Sequence, residues 1–228
     1  MPLPSTRPLL CAVTGGDLAA GRDSSTIVDA VVAWAETLMA AGLDLLHVRE
    51  PGLPVRQLYV LVRALVERGA AYATRIIVND RADVSLAAGA HGVHLRADSM
   101  SSLRVRRLVG SALLLGRSVH GLDEVVTESR DGAVDYLVFG TVFPPRSKPA
   151  PAALAGVDGL RAAVAESRVP VLAIGGITRD TIAAVAATGA AGFAAIDYFR
   201  ERTYGGIETS RAGALAAAIE DARRRFGA

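Results

Sequence analysis

The nine-residue stretch AAGAHGVHL (87–95) joins the end of a helical pattern to a short apolar run through a glycine. Two other stretches repeat this arrangement, AAGLDLLHV (40–48) and ATGAAGFAAI (187–196). The glycine at the third position of each supplies the left-handed residue that commonly ends a helix. The apolar run that follows is typical of a parallel strand covered on both faces. The recurrence predicts a chain built from repeated helix–turn–strand units.

Eight apolar runs in the whole chain have the length and composition of strands. They are 9–14, 44–50, 75–80, 92–95, 113–120, 136–143, 170–176 and 192–197. Alanine-rich amphipathic segments separate them, and a last helix is predicted over 207–225. Eight strand–helix units predict an α/β fold, a compact (β/α)8 TIM barrel in which residues 1–228 form a single domain. An open doubly wound sheet is the alternative, but eight regular units without an extra domain favour closure.

Composition excludes several classes of protein. The net charge of +2 comes from scattered arginines with few aromatic residues among them, which favours a solvated surface over a nucleic-acid site. The single cysteine, Cys11, excludes an intramolecular disulfide and is expected to be a small buried hydrophobe. No apolar run reaches the length of a membrane span, and the first residues lack a leader-like apolar segment. We therefore expect a soluble cytoplasmic protein that contacts neither membranes nor nucleic acids.

Polar residues at the ends of the predicted strands are the candidate site residues, because the active site of a TIM barrel lies at the carboxyl ends of its strands. The candidates are His47, Arg49, Glu50, Asn79, Asp80, His94, Ser118, His120, Thr141, Gly175, Gly176 and Asp197. Arg49 offers a guanidinium fork to a phosphate or carboxylate, although an ion pair with Glu50 or Asp80 is an equally good interpretation.

His120 is the candidate catalytic residue, since an imidazole both donates and accepts protons near neutral pH. Ser118 is expected to face the same side of the strand two residues earlier. A hydrolase is excluded because the sequence has no G-x-S-x-G elbow. The alternative is a structural histidine at a strand end, hydrogen-bonded to a loop.

Two loops are expected to bind an anion. The proline-rich segment FPPRSKPAPAALAG (143–156) is predicted to form a mobile lid whose Lys148 reaches an anionic ligand, with a plain surface linker as the alternative. The Gly175–Gly176 pair, before a helix predicted to start near Thr178, is expected to hold a phosphate with backbone amides. Together with Arg49, these features indicate a small anionic substrate.

The motifs resemble those of the thiamine phosphate synthase and TenI superfamily from CAVT (11–14) to GFAAI (192–196). The synthase pattern Q-x-R-E-K is replaced by His47-Val48-Arg49-Glu50-Pro51, and Asn79-Asp80-Arg81 matches the N-D-R motif. In the synthases, the Asn and Asp of that motif serve pyrophosphate and magnesium. GRSVH (116–120) is similar to the pattern of TenI-type thiazole tautomerases, in which the histidine is the acid–base residue.

Several positions depart from the synthase pattern. The motif G-Q-E-D, whose last Asp binds the metal, is replaced by Arg96-Ala97-Asp98-Ser99 after GVHL (92–95). The pyrophosphate-binding lid motif P-T-x-T-K corresponds to residues 144–148, which keep a hydroxyl and Lys148. Asp197 stands where the superfamily has a serine beside the thiazole phosphate, and a carboxylate there would repel that phosphate.

The resemblance implies three candidate functions. The first is an isomerase without a metal or cofactor, in which His120 moves a proton within a thiazole phosphate precursor. The alternative is thiamine phosphate synthase, a transferase that joins thiazole phosphate to a pyrimidine pyrophosphate with Mg²⁺ bound at Asp80. The third is a non-catalytic ligand-binding or regulatory protein. Ser99 and Pro51 count against the transferase, Asp197 counts against both enzymes, and the resemblance also implies a homodimer.

Overall fold

The computed structural model describes residues 3, 6–16, 18, 24–144, 154–200 and 210–227. Its strands are β1 (Leu9–Val13), β2 (Leu45–Val48), β3 (Arg75–Asn79), β4 (Gly92–Leu95), β5 (Leu114–Val119), β6 (Tyr136–Phe139), β7 (Val171–Ile174) and β8 (Gly192–Ala195). Its helices are α1 (Ser24–Ala40), α2 (Val55–Gly69), α3 (Ala82–Ala88), α4 (Ser102–Val109), α5 (Leu122–Arg130), α6 (Gly156–Glu166), α7 (Ile182–Ala186), α8 (Asp197–Arg200) and α9 (Ser210–Phe226).

The eight strands are parallel and close into a barrel in chain order. Closure occurs between β1 and β8, where Leu9 is opposite Gly192 and Cys11 is opposite Ala194. The predicted TIM barrel is therefore confirmed, and the open doubly wound sheet is excluded. Each of the eight predicted strands is present, most of them shorter at one or both ends than the apolar run that predicted it.

For two of the predicted boundaries, hydrogen bonds of the backbone explain why the prediction is wrong. The strand predicted over 136–143 ends at Phe139, and the chain beyond it bonds across to the end of β7, with the Val142 N–H donating to the Ile174 carbonyl at 2.9 Å. The helix predicted near Thr178 begins at Ile182, because the preceding residues form a turn in which the Thr178 N–H donates to Thr181 Oγ1 at 2.8 Å.

The core has two layers because successive side chains of a strand point to opposite faces. One layer packs between the strands and the surrounding helices, and the other fills the barrel interior. The interior layer consists of Leu9, Cys11, Val13, Leu45, Ile77, Leu114, Tyr136, Val138, Leu172 and Ala194. Burial raises the pKa of the Cys11 thiol to about 12, so it stays protonated and packs as the expected small hydrophobe.

Gly116 gives the interior room for an aromatic ring. A Cβ at this position would lie 2.2 Å from Cζ of Tyr136 and 2.6 Å from Nδ1 of His94. Only a glycine on β5 allows both rings to occupy the barrel axis. The helices present no candidate for a membrane span within the part of the chain described.

Candidate active site

A row of polar side chains lies above the apolar interior layer, at the carboxyl ends of β2 to β5. It contains His47, Asn79, His94 and Ser118. His47, Asn79 and Ser118 lie two or four residues after an interior-facing residue of the same strand, and His94 lies two residues after Gly92. The rings of His47 and His94 approach to 4.6 Å between centroids. The site thus begins where the apolar filling of the barrel ends.

His47 holds the Asn79 amide in place. Its Nε2 lies 3.1 Å from Asn79 Oδ1, and because an amide oxygen only accepts, Nε2 carries the proton. Burial lowers the pKa of His47 to about 4, so the ring is neutral at physiological pH. Asn79 Nδ2 in turn donates to Asp80 Oδ2 at 3.0 Å. These three predicted site residues form one hydrogen-bonded chain from β2 to the end of β3.

His94 occupies the centre of the site; its strand-end position selected it as a candidate, but no role was predicted for it. Its Nε2 lies 2.9 Å from Ser118 Oγ, and its Nδ1 lies 3.2 Å from the Tyr136 hydroxyl. Burial, with a smaller effect of the nearby His47 and Arg117, lowers the pKa of His94 well below its usual value. Ser118 is therefore the partner of His94 rather than of His120. The alternation of side chains along GVHL is the signal that could have placed His94 on the interior face.

Arg49 is half-buried above His47, and its guanidinium lies against Gly16 of the loop between β1 and α1. A Cβ at Gly16 would be 2.9 Å from Arg49 Nη1. Neither ion pair considered for Arg49 is present. Glu50 accepts the backbone N–H groups of Gly16 at 3.1 Å and Leu18 at 3.0 Å, and Asp80 pairs with Arg96. Within the described ranges the Arg49 guanidinium has no hydrogen bond or ion pair, which favours the ligand-binding interpretation.

Asp80 lies at the position that the resemblance assigns to magnesium, but its surroundings do not fit that ion. Its Oδ1 accepts the Ser99 hydroxyl and the Arg96 N–H (3.2 Å), and its Oδ2 accepts Asn79 Nδ2 (3.0 Å) and pairs with Arg96 Nε (3.2 Å). Magnesium requires oxygen ligands that are free to coordinate. Among the residues described, no group of three or more His, Cys, Asp or Glu side chains could hold a metal.

His120 follows β5 directly and is exposed. Its Nδ1 donates to the Gly140 carbonyl, since a carbonyl oxygen only accepts, and its backbone N–H donates to Glu124 Oε2 at 2.6 Å. The ring is therefore anchored to the loop after β6, as the structural interpretation of this histidine expects. Among the residues that the structure describes, none binds its Nε2, which is available to a ligand.

The loops after β6 and β7 pack tightly together at Gly175 and Gly176. Gly176 has φ +61°, and a Cβ there would lie 2.6 Å from the carbonyl oxygens of both Phe143 and Pro144. Thr141 packs against Gly175 in the same contact. This close approach explains the glycine pair without a ligand, and α7 begins too late for its first amides to lie at the pair.

Asp197 and Lys148 are the remaining predicted binding residues. Asp197 is the first residue of the four-residue helix α8 and is exposed. Lys148 and most of the predicted lid, residues 145–153, lie outside the described residues.

A family described as thiamine monophosphate synthase matches residues 19–199. The chain belongs to this family. The thiamine-phosphate synthase of Chloroflexus aurantiacus is 37% identical over 187 residues, which cover 82% of this chain and 82% of that protein. The thiamine-phosphate synthase of Solidesulfovibrio magneticus is 40% identical over 168 residues, covering 74% and 76%. A solved structure of thiamine phosphate pyrophosphorylase from Pyrococcus furiosus superposes with a TM-score of 0.76 at 27% identity, covering 96% and 95%.

Membership in the thiamine monophosphate synthase family corrects the leading functional expectation. The relatives are named as synthases, so the isomerase prediction is wrong. It rested on GRSVH and on His47, but the hydrogen bonds of His120 to the loop after β6 and of His47 to Asn79 are structural. Neither contact requires a proton to move during a reaction. The membership supports an enzyme of thiamine biosynthesis that acts on small molecules.

Proposed function

We propose that this protein is a thiamine-phosphate synthase, a transferase that joins a thiazole phosphate to a pyrimidine carried as its diphosphate ester. The bond between the pyrimidine's carbon and the diphosphate oxygen breaks, and its electron pair leaves with the diphosphate. The lone pair of the thiazole nitrogen forms the new carbon–nitrogen bond. No proton is exchanged in this step, so the reaction needs anion binding and alignment rather than a general base. The observation that carries the proposal is the identity with thiamine-phosphate synthases over most of the chain.

Arg49 is the principal anion-binding residue of the proposed site. Its guanidinium is half-buried and has no partner among the described side chains, and its planar fork matches two phosphate oxygens. Glu50 supports it indirectly by fixing the loop on which the guanidinium rests, through the amides of Gly16 and Leu18. A phosphate bound here would be the natural counterion of Arg49.

The neutral side chains of the site orient the substrates. His47 fixes Asn79, and His94 fixes Ser118, so that one amide and one hydroxyl face the mouth in set positions. His120 is anchored through Nδ1 and presents Nε2 as an acceptor for a ring substituent. Thr141 and the Gly175–Gly176 pair support these residues by fixing the loops after β6 and β7 against each other. Lys148 is assigned to the diphosphate, and Asp197 is expected to lie near the thiazole phosphate and to weaken its binding.

The proposal is tested by incubating the purified protein with both substrates and measuring the mass of the coupled product, with either substrate omitted as a control. Arg49→Ala should lower kcat/KM by about ten- to a hundredfold, the scale of one charge-assisted contact. Arg56→Ala is the matched control, because Arg56 is an exposed arginine on α2 and should leave the rate unchanged. Equal rates for the two variants would remove Arg49 from the site.

A ligand-binding protein without catalysis is the second candidate, favoured by the ion pair that occupies Asp80. It predicts saturable binding of both substrates with no coupled product under any condition. The same incubations, followed by calorimetric titration of each substrate, distinguish it from the transferase.

A further inference from the structure

The carboxylate of Asp80 is already engaged by three hydrogen-bond donors and by the guanidinium of Arg96. A carboxylate offers about four lone-pair sites. Each oxygen of Asp80 has two partners: Ser99 and the Arg96 amide at Oδ1, and Asn79 and the Arg96 side chain at Oδ2. The Asp80 side chain is 28% exposed, so these contacts are partly shielded from water. A metal could bind here only by displacing them.

Arg96 supplies a positive charge at this place. It is the first residue after β4, two positions beyond His94, on the side of the chain that faces the barrel mouth. Its Nε is 3.2 Å from Asp80 Oδ2 and its Nη2 is 2.8 Å from Asp98 Oδ2. A guanidinium has five N–H donors, and these two contacts leave Nη1 unused. Asp98 is 73% exposed, so its pairing adds little and yields readily to a ligand.

Ser99 contacts both partners of this ion pair, since its hydroxyl donates to Asp80 Oδ1 and accepts the Arg96 backbone N–H at 3.1 Å. By the resemblance it replaces the aspartate that completes a magnesium site, and Arg96 replaces the glycine at the start of the same motif. The loss of the second carboxylate and the gain of a guanidinium both disfavour the binding of a divalent cation at this place. The Ser99 hydroxyl, by donating to Asp80, also holds the carboxylate toward Arg96.

We propose that Arg96 takes the place of the divalent cation, so that the protein binds the diphosphate of its substrate with arginines alone. Arg96 pairs with the diphosphate from the β4 side and Arg49 from the β2 side of the same mouth. The departing diphosphate then takes the place of Asp98 at Arg96, whose guanidinium it shares with Asp80, and Arg49 offers it a second guanidinium. This inference rests on the proposed transferase function, since it names the group that such a substrate would present at Arg96.

Calorimetric titration of inorganic pyrophosphate tests the proposal directly, with the protein in EDTA. Wild-type protein should bind pyrophosphate in EDTA. Arg96→Ala should weaken that binding by about ten- to a hundredfold. Arg96→Lys should restore part of it, since it keeps the charge but loses the fork. Arg104→Ala is the matched control, because Arg104 is exposed on α4, and it should bind like the wild type.

A second titration uses Mg²⁺ alone. Wild-type protein should show no saturable binding in the millimolar range. The double variant carrying Arg96→Gly and Ser99→Asp should gain a magnesium site, because it restores two free carboxylates and removes the competing cation. A thermal unfolding curve of each variant establishes that it is folded.

The results separate this inference from the proposed function. Pyrophosphate binding only in the presence of Mg²⁺, or Mg²⁺ binding by the wild type that Asp80→Asn abolishes, would overturn the role of Arg96 even if the transferase reaction is observed. Metal-free pyrophosphate binding that depends on Arg96, without any coupled product, would support the anion site and reject the transferase. Equal binding by the Arg96→Ala and Arg104→Ala variants would also reject the inference.

Discussion

His47 couples the site to the stability of the protein at acid pH. Its pKa is about 4 in the folded protein because of burial, whereas an unfolded histidine titrates near 6.5. Between these values the unfolded chain binds a proton that the folded chain does not, so the free energy of unfolding falls as the pH is lowered through this window. From pH 7 to pH 4.5 this effect amounts to about 2 kcal/mol.

His47→Gln should therefore reduce the loss of stability on acidification by about 2 kcal/mol. Glutamine keeps a donor for Asn79 but does not titrate. Urea unfolding of both proteins at pH 7 and pH 4.5 measures the difference, and His94 accounts for part of the dependence that remains. An unchanged pH dependence in the variant would show that His47 is accessible to protons in the folded state.

Asp197 is expected to weaken binding of the thiazole phosphate. Since the side chain is exposed, repulsion of a nearby phosphate is screened by water and amounts to about 1 kcal/mol. Asp197→Ser should then lower the KM for thiazole phosphate roughly fivefold, whereas Asp131→Ser, an exposed aspartate after α5, should not. An identical KM for both variants would place the phosphate elsewhere.

The site residues show which contacts a sequence can predict. Strand-end position depends only on the barrel topology, and it selected His47 and Asn79, which the structure brings together. The roles of His94 and Arg96 were missed. Each depends on a partner from another strand or loop, namely Ser118 and Asp80, and no local pattern encodes such a pairing.

At the scale of elements, one buried carboxylate fixes the loop between β1 and α1. Glu50 accepts two backbone N–H groups of that loop and is 4% exposed. Glu50→Gln replaces one of these acceptor oxygens with an amide N–H group, which would face a backbone N–H donor. It should lower the free energy of unfolding by about 1–3 kcal/mol and raise the KM of the anionic substrate, because Arg49 rests on this loop.

Glu67→Gln is the control for Glu50→Gln. Glu67 is exposed on α2 and pairs with Arg63, so its loss should cost less than about 1 kcal/mol. Urea unfolding and steady-state kinetics of the two variants provide the comparison. An equal cost would mean that Glu50 does not hold the loop.

Element boundaries were predicted less well than the elements themselves. Apolar runs located all eight strands because a buried parallel strand must be apolar along its whole length. They overran the end of β6 because Val142 and Phe143 are apolar yet belong to the loop that bonds to the end of β7. The start of α7 was missed because the turn at Thr178 depends on the side chain of Thr181, which has no apolar signature.

In the whole molecule, the two faces of the barrel carry different charged groups. The amino-terminal face is fixed by Asp44, which accepts the Leu10 N–H at 2.9 Å and pairs with Arg7 at 2.6 Å and with Arg223 of α9 at 3.4 Å. The opposite face carries the polar row, Arg49 and Arg96. The predicted homodimer remains a prediction, which sedimentation measurements would test.

We expect the carboxyl face of this barrel to transfer a pyrimidine from diphosphate to thiazole phosphate. Phosphorus NMR of the protein mixed with both substrates in EDTA tests it most directly, because one spectrum reports the diphosphate ester, free pyrophosphate and the coupled monophosphate. We expect free pyrophosphate in an amount equal to that of the coupled product. Neither product should form when the thiazole phosphate is omitted. An unchanged spectrum, both in EDTA and after addition of Mg²⁺, would contradict it.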